Sequence, residues 1–216
     1  MRKTTLLLLS SVFAASAFGL PALADKGPHM FERADTDGEI TVDVRILDED
    51  GRPAAEGVSG EILVRGPQML LGYLDSSDDA AAFTDDGFFR MGDLGRRVGG
   101  EYLEITGRTK DIIIRKGENI SPLEVENAIS RHASVRQSAV VGAPDRERGE
   151  IVVAFVVPVE GEAFGIAEMT AHLERIGLAR QKFPERLHLV SSLPVNAIGK
   201  VQKNELRTIA AEGGPA

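Results

Sequence analysis

The 216-residue sequence contains no cysteine, and this absence excludes several kinds of chemistry. Without thiols the chain can form neither disulfides nor thiolate metal sites, and it has no cysteine nucleophile. Its four histidines are isolated in the sequence and lack the spacing of metal ligands; they are His29, His132, His172 and His188. We therefore expect no metal site and interpret each histidine as a solvated or half-buried side chain.

The sequence also lacks an excess of basic residues. It carries 25 Lys and Arg against 33 Asp and Glu, which gives a formal net charge of -8 and a pI near 5.1. Binding to nucleic acid needs clustered cations that contact phosphates, and no basic stripe is present. Nucleic acid is therefore not an expected partner. The hydrophobic fraction of 43% is ordinary for a globular protein and identifies no function.

Long apolar segments are absent except near the N-terminus. There Arg2 and Lys3 precede an apolar run that starts at Leu6, and Ala22-Leu23-Ala24 provides an A-x-A cleavage site. These features predict a secretory signal peptide over residues 1–24, and hence a periplasmic or secreted location. The run is too short for a membrane span, so we expect none after the signal is removed.

Residues 25–41 contain an incomplete pattern similar to the start of an EF-hand calcium loop. Asp35 and Asp37 fit the first and third positions of such a loop. However, Ile40 stands where the turn glycine is required, and Ile46 stands where the bidentate glutamate is required. We therefore interpret this segment as an EF-hand-like stub or linker with an acidic surface turn.

The rest of the sequence predicts an α+β fold in two blocks. The first block, residues 42–106, is rich in strands, with a short helix over 76–82. The second block, residues 107–216, alternates strands and amphipathic helices. Its predicted elements are a strand at 111–115, a helix at 122–131, strands at 135–141 and 150–158, a helix at 166–177, a strand at 186–190 and a helix near 203–211.

Residues 107–126, GRTKDIIIRKGENISPLEVE, form the most informative stretch. The β-branched triplet Ile112–Ile114 predicts a short buried strand. Gly117 then allows a turn, because glycine adopts positive φ without strain.

A helix start follows this turn. Ser121 is a suitable N-cap, and Pro122 suits the first helical position. Glu124, three residues after the cap, would complete a capping box. The polar residues of the stretch therefore lie on a tight connection between ordered elements.

Three further motifs accompany this stretch in a fixed order. The segment 60–66, GEILVRG, is followed by Gly72-Tyr73; FRMGD occupies 89–93; and LPVNAIGKVQK occupies 193–203. Together the four motifs resemble those of the adenylate-forming enzymes, which comprise acyl-CoA synthetases, peptide-synthetase adenylation domains and luciferases. The resemblance extends over roughly residues 42–210, and stretch 107–126 is most similar to that of synthetases for fatty or alicyclic acids.

The resemblance implies a domain organisation. Residues 42–106 would be a strand-rich remnant of the large AMP-binding domain, and 107–216 the small mobile C-terminal α+β domain of the family. Lys110 occupies the hinge position between the two domains.

The resemblance also implies a reaction and its residues. Family enzymes activate a carboxylic acid with ATP and Mg²⁺ to an acyl-adenylate and pyrophosphate, and CoA then takes the acyl group. Lys200 matches the catalytic lysine, Asp93 and Arg108 match nucleotide-binding residues, and Gly117 matches a glycine beside the CoA channel. Each residue alone also has a plain structural interpretation, which is a surface turn for Lys200 and Gly117, a solvated turn aspartate for Asp93, and an ion pair with Asp111 for Arg108.

Several family segments do not occur in the sequence. It has no Ser/Thr/Gly-rich phosphate loop ending in Pro-Lys-Gly and no acyl pocket, so we expect a fragment of a synthetase with little activity alone. It would act on a small-molecule carboxylic acid by complementing a separately encoded large adenylation domain. The alternatives are a non-catalytic exported binding module and, from Asp35–Gly38, an exported calcium sensor.

Overall fold

The computed structural model describes residues 42–67, 69, 72, 79–100 and 102–213. The predicted signal peptide and the EF-hand-like stub lie outside these residues, as does His29. The described chain divides between Ile105 and Thr106 into two units, each with its own internal packing.

The first unit is built on one sheet. Its strands lie in the order β1-β2-β3-β4, and β2 pairs antiparallel with both β1 and β3. The elements are β1 Asp43–Leu47, β2 Gly60–Arg65, α1 Asp79–Ala82, β3 Phe89–Val98 and β4 Tyr102–Arg108, the last three residues of which belong to the second unit. Apolar residues of β2 are buried, with Ile62 and Leu63 fully so.

An aromatic side chain fixes the turn that leads into β3. Phe88 is buried, and the guanidinium carbons of Arg45 and Arg65 lie 3.8 and 4.5 Å from its ring centroid. Arg45 also pairs with Asp86 at 2.6 Å. The Thr84 hydroxyl, which donates to Asp86, and the Arg45 guanidinium hold the pKa of the Asp86 carboxyl below its usual value.

The second unit has a mixed sheet covered on both faces. The strands lie in the order β6-β5-β8-β7, and β9 pairs parallel with β8 while the other pairs are antiparallel. A 3-10 turn at Thr109–Asp111 precedes β5 Ile113–Arg115, β6 Glu118–Ile120, α2 Pro122–Ile129, β7 Val135–Asp145, β8 Gly149–Pro158, α3 Ile166–Arg175, a second 3-10 turn at Arg180–Lys182, β9 Arg186–Leu189 and α4 Lys203–Ala211.

Strand β8 explains how the helices are distributed. Val152, Ala154 and Val156 pack with α2 and α3, whereas the alternate residues Val153 and Phe155 pack with α4. Successive side chains of a strand point to opposite faces, so α4 covers the face opposite to α2 and α3. A strand buried on both faces needs a continuous apolar sequence.

The α+β class predicted from the sequence is confirmed.

Two histidines differ from the prediction of solvated or half-buried rings. His172 is 4% exposed, and its Nε2 lies 2.9 Å from the carbonyl oxygen of Ala128. His188 is also 4% exposed and stacks on Phe155 at a centroid distance of 4.9 Å. Both rings are buried because each contributes apolar surface to the packing around the sheet.

Candidate functional site

Lys200 lies on a short hairpin loop. Val195 and Val201 pair across its base, and the amide of Asn196 donates to the carbonyl of Lys200 at 2.9 Å. The amide of Gly199 donates back to the carbonyl of Asn196 at 2.9 Å, with Gly199 at a φ of 80°. This is the pattern of a tight turn followed by a glycine bulge, which explains the glycine before the lysine.

The side chain of Asn196 holds the tip of this loop. Its Oδ1 accepts from the amide of Lys200 at 2.8 Å and from the amide of Ile198 at 3.2 Å. Asparagine side chains commonly bond the backbone of their own turn in this way. The sequence motif contained this residue, but sequence reasoning did not identify it as the anchor of the loop.

The Lys200 side chain is exposed, and within the described part of the chain its ammonium forms no ion pair. The loop is fixed at both ends, because Leu193 is buried and the amide of Gln202 donates to the carbonyl of Pro194 at 2.9 Å. An uncommitted cation on a firmly held loop is suited to contact an anion supplied from outside these residues.

Gly117 lies on the second candidate loop. Lys116 and Gly117, with φ of 51° and 82°, form the two-residue connection between β5 and β6, in which Arg115 pairs with Glu118. Positive φ at both positions defines a type I′ turn. Apart from its two chain neighbours, no described residue has an atom within 4 Å of the position of a Cβ on Gly117, so the backbone conformation and not crowding explains this glycine. The predicted glycine turn is confirmed.

Arg108 and Lys110 lie just before this hairpin. Arg108 ends β4 and is half-buried, and Lys110 is exposed within the turn Thr109–Asp111. The Asp111 carboxylate pairs with Arg207 of α4 at 2.6 Å. The plain interpretation of Arg108 was an ion pair with Asp111. The structure shows that the Asp111 carboxylate pairs with Arg207, which the sequence did not reveal as a partner.

The predicted capping box is wrong, although α2 begins where predicted. The Ser121 hydroxyl makes no capping hydrogen bond and donates instead to the carbonyl of Thr106. Both carboxylate oxygens of Glu124 lie 2.7 Å from Nζ of Lys182. Gly107 accommodates this arrangement, because a Cβ there would lie 2.8 Å from the Ser121 Oγ.

Asp93 lies on β3 in the first unit, next to a break in strand register. Residues 91–93 face only Ile62 of β2, and Gly92 has a φ of 72°. Such a bulge changes the direction of the side chains beside it. Asp93 is only 8% exposed, so its interpretation as a solvated turn aspartate is wrong.

The candidate residues therefore lie in two groups. Lys110, Gly117 and Lys200 occupy separate loops of the second unit, with Arg108 at the end of β4, and Asp93 belongs to the first unit. Among the residues that the structure describes, no three or more His, Asp or Glu side chains are arranged to hold a metal ion. Within the same residues no helix is long and apolar enough to cross a membrane.

Residues 124–200 match the family described as AMP-binding enzyme C-terminal domain, and the match ends at Lys200. This chain carries an AMP-binding enzyme C-terminal domain. The α+β fold of the second unit is that of the C-terminal domain of the adenylate-forming enzymes.

Known proteins similar to the chain include CoA and AMP ligases. Indoleacetate–CoA ligase of Aromatoleum aromaticum is 41% identical over 168 residues, which cover 78% of this chain and 33% of that protein. The 2,3-dihydroxybenzoate-AMP ligase of Bacillus subtilis is 39% identical over 171 residues, with 79% and 32% covered. The chain thus spans about a third of the length of these relatives.

Solved structures agree with this relationship. The crystal structure of ATP-bound MatB from Rhodopseudomonas palustris superposes with a TM-score of 0.75 at 38% identity. The superposition covers 81% of this chain and 35% of MatB. The AMP-binding C-terminal domain is therefore supported by both sequence and fold.

Proposed function

We propose that the chain contributes the C-terminal part of an ATP-dependent acid–thiol ligase. The reaction joins a carboxylic acid and CoA into a thioester, through an acyl-adenylate, and releases pyrophosphate and AMP. The observation that carries the proposal is the Lys200 loop, which presents an exposed ammonium at the end of the segment that matches the AMP-binding C-terminal domain.

Lys200 would act in the first half-reaction. A carboxylate oxygen attacks the α-phosphorus of ATP, and the bond from that phosphorus to the pyrophosphate oxygen breaks. Both reactants are anions, so a cation that reaches their meeting point lowers the barrier. A lysine on a flexible four-carbon stem suits this task, and Asn196 holds the backbone from which the stem extends.

Asp93 and Arg108 would bind the nucleotide. An ionised carboxylate accepts hydrogen bonds, as recognition of ribose hydroxyls requires, and the guanidinium offers several donors. The buried position of Asp93 beside the β3 bulge fits a side chain with a fixed direction. ATP is further supported by the ATP-bound state of the MatB structure. Mg²⁺ would accompany the phosphates as their counter-ion.

Gly117 and Lys110 would serve the second half-reaction, with CoA as the acyl acceptor. The open type I′ turn at Gly117 leaves room for the thiol arm of CoA, since among the described residues only its two chain neighbours can lie within 4 Å of the position of a Cβ. Lys110, in the exposed turn after β4, would be the hinge for reorienting the domain between the two half-reactions. CoA is supported by the name of the indoleacetate–CoA ligase.

We further propose that catalysis requires a large adenylation domain in addition to these residues, which a separately encoded protein can supply in trans. The 216 residues contain no loop ending in Pro-Lys-Gly to hold the triphosphate. Lys200 alone would lack most of the preorganised partners that stabilise the transition state. The acid would be a small carboxylic acid, and its choice would depend on the large domain.

The test mixes the purified chain with the large domain of a homologous ligase and measures acid-dependent pyrophosphate release and thioester formation. We expect the mixture to exceed either component alone, and Lys200→Ala to lower the rate by about 10²-fold or more. Lys182→Ala provides a control lysine, since Lys182 is engaged by Glu124 away from the loop. Equal rates with wild type and Lys200→Ala, or activity of the chain alone, would contradict the proposal.

A further inference from the structure

We propose that the ion pair between Glu126 and Lys203 positions Lys200 for the reaction. This inference rests on the function proposed above. It assigns a role to two residues that would act through the loop that carries Lys200.

The geometry of the pair is close and sheltered. Nζ of Lys203 lies 2.7 Å from Oε1 of Glu126, and the side chains are only 22% and 15% exposed. Lys203 is the first residue of α4, where the positive end of the helix dipole disfavours a cation. Helix stability therefore does not explain a lysine at this position, and the carboxylate of Glu126 does.

Glu126 connects three elements of the unit. Its Oε1 also accepts from the amide of Val140 on β7 at 2.8 Å. Glu126 belongs to α2, on one face of the sheet, and Lys203 to α4, on the other. The ion pair therefore passes around the β7 edge and fixes the start of α4 relative to the sheet.

The start of α4 is also the end of the Lys200 loop. Only Val201 and Gln202 separate Lys200 from Lys203. The Gln202 amide is bonded to Pro194 at the base of the loop. A shift of the first turn of α4 would thus move the whole loop as one body. A displacement of about 1 Å of a catalytic group can lower a rate by about 10²-fold.

Two variants test the proposal, and the same helix offers matched controls. Glu126→Gln and Lys203→Met remove the charge of one partner with little change of volume. Glu124→Gln and Lys182→Met make the same changes in another α2 ion pair, whose side chains are 45% and 26% exposed. Lys203→Arg restores the positive charge and serves as the conservative variant.

The first measurement does not depend on activity. Residual dipolar couplings and ¹⁵N relaxation of the full chain report the orientation and order of the amides of Ile198, Gly199 and Lys200. We expect both to change in Glu126→Gln and Lys203→Met while the dispersed spectrum of the sheet is retained. The controls and Lys203→Arg should match the wild type.

The second measurement uses the mixed assay with a large adenylation domain. We expect Glu126→Gln and Lys203→Met to lower kcat by about 10- to 100-fold with KM for ATP nearly unchanged. The double variant should be no slower than either single variant, because both remove the same interaction. Controls should retain the wild-type kcat.

The positioning role is overturned if both variants keep the wild-type loop orientation and kcat and lose only thermal stability. If the wild-type mixture forms no thioester, the proposed function fails. The loop measurements then still decide whether the ion pair orients Lys200.

Discussion

Oδ1 of Asp111 and Nη2 of Arg207 lie 2.6 Å apart and join the turn Thr109–Asp111 to α4. The carboxylate is well sheltered, with 14% of the Asp111 side chain exposed, against 33% for Arg207. The ion pair thereby holds together two residues that are 96 positions apart in the sequence. The proposed hinge at Lys110 is therefore tied on its C-terminal side to the helix that follows Lys200.

Loss of this ion pair should destabilise the second unit. We expect Arg207→Met to lower the free energy of unfolding by about 1–3 kcal/mol, because it leaves a sheltered carboxylate without its cation. Urea denaturation followed by far-UV circular dichroism measures the change. Arg180→Met is the control, since Arg180 pairs with Glu174 at 3.4 Å while 83% exposed, and should change stability by less than about 0.5 kcal/mol. Similar losses in the two variants would refute this interpretation of Arg207.

The type I′ turn should reject a β-branched residue at Gly117. Gly117→Val should cost about 1–3 kcal/mol, because valine is strained at positive φ. Gly117→Asn should cost less, since asparagine tolerates that conformation. Thermal unfolding of the full chain distinguishes the two substitutions. If valine and asparagine were equally tolerated, the turn geometry would not explain this glycine.

Asp145 should make stability depend on pH in acid. Its Oδ1 accepts from the amide of Arg148 at 2.8 Å and from that of Glu147 at 3.0 Å. These hydrogen bonds, led by that from Arg148, lower the pKa of the carboxyl from its usual 3.8. The lowered pKa favours the folded state above the usual pKa, and this contribution is lost as the pH falls through the lowered value.

The corresponding experiment compares wild type with Asp145→Ala. We expect the wild type to be more stable near neutral pH and the difference to shrink on acidification, as measured by urea denaturation across the acid range. Asp50→Ala is a suitable control, because the Asp50 carboxylate pairs with the highly exposed Arg52. A difference independent of pH would show that the Asp145 carboxylate does not act through its charge.

The N-terminal sequence should direct export. We expect cleavage after Ala24, so that the mature chain begins at Asp25, because Ala22 and Ala24 form the small-residue cleavage site. Mass spectrometry of the exported protein after expression in a bacterium determines the new terminus. Ala24→Leu should block processing and leave a heavier product. Detection of only the unprocessed wild-type chain would contradict the signal-peptide assignment.

Local patterns predicted the helices of the second unit well. The final helix was expected near 203–211 and spans Lys203–Ala211, and the strand expected at 150–158 spans Gly149–Pro158. These elements have a strong periodicity or a continuous apolar run, which local sequence expresses directly. The turn at Gly117 was predicted from its turn residues, whereas a surface turn at Lys200 was only the plain structural alternative to its catalytic role.

Interactions between distant residues were not predictable in the same way. Strand β3 was missed because Gly92 and Gly95 interrupt its pattern, and its pairing with β2 determines its conformation. The Ser121 hydroxyl had a local capping partner available, yet it donates to Thr106. The partners of Asp111 and Glu126 likewise depend on where α4 packs, which no short window of sequence contains.

Strand β7 forms an edge of its sheet, and edges of this kind invite strands from other molecules. Here the outward amide of Val140 is already taken by Glu126. Pro144 lies four residues after Val140 in the same register with β8, so its backbone nitrogen also faces away from β8, and proline has no amide hydrogen to donate. A strand from another molecule would therefore lack two of the backbone N–H donors that it needs to pair with β7. The second unit should therefore resist strand addition and fibril formation along this edge.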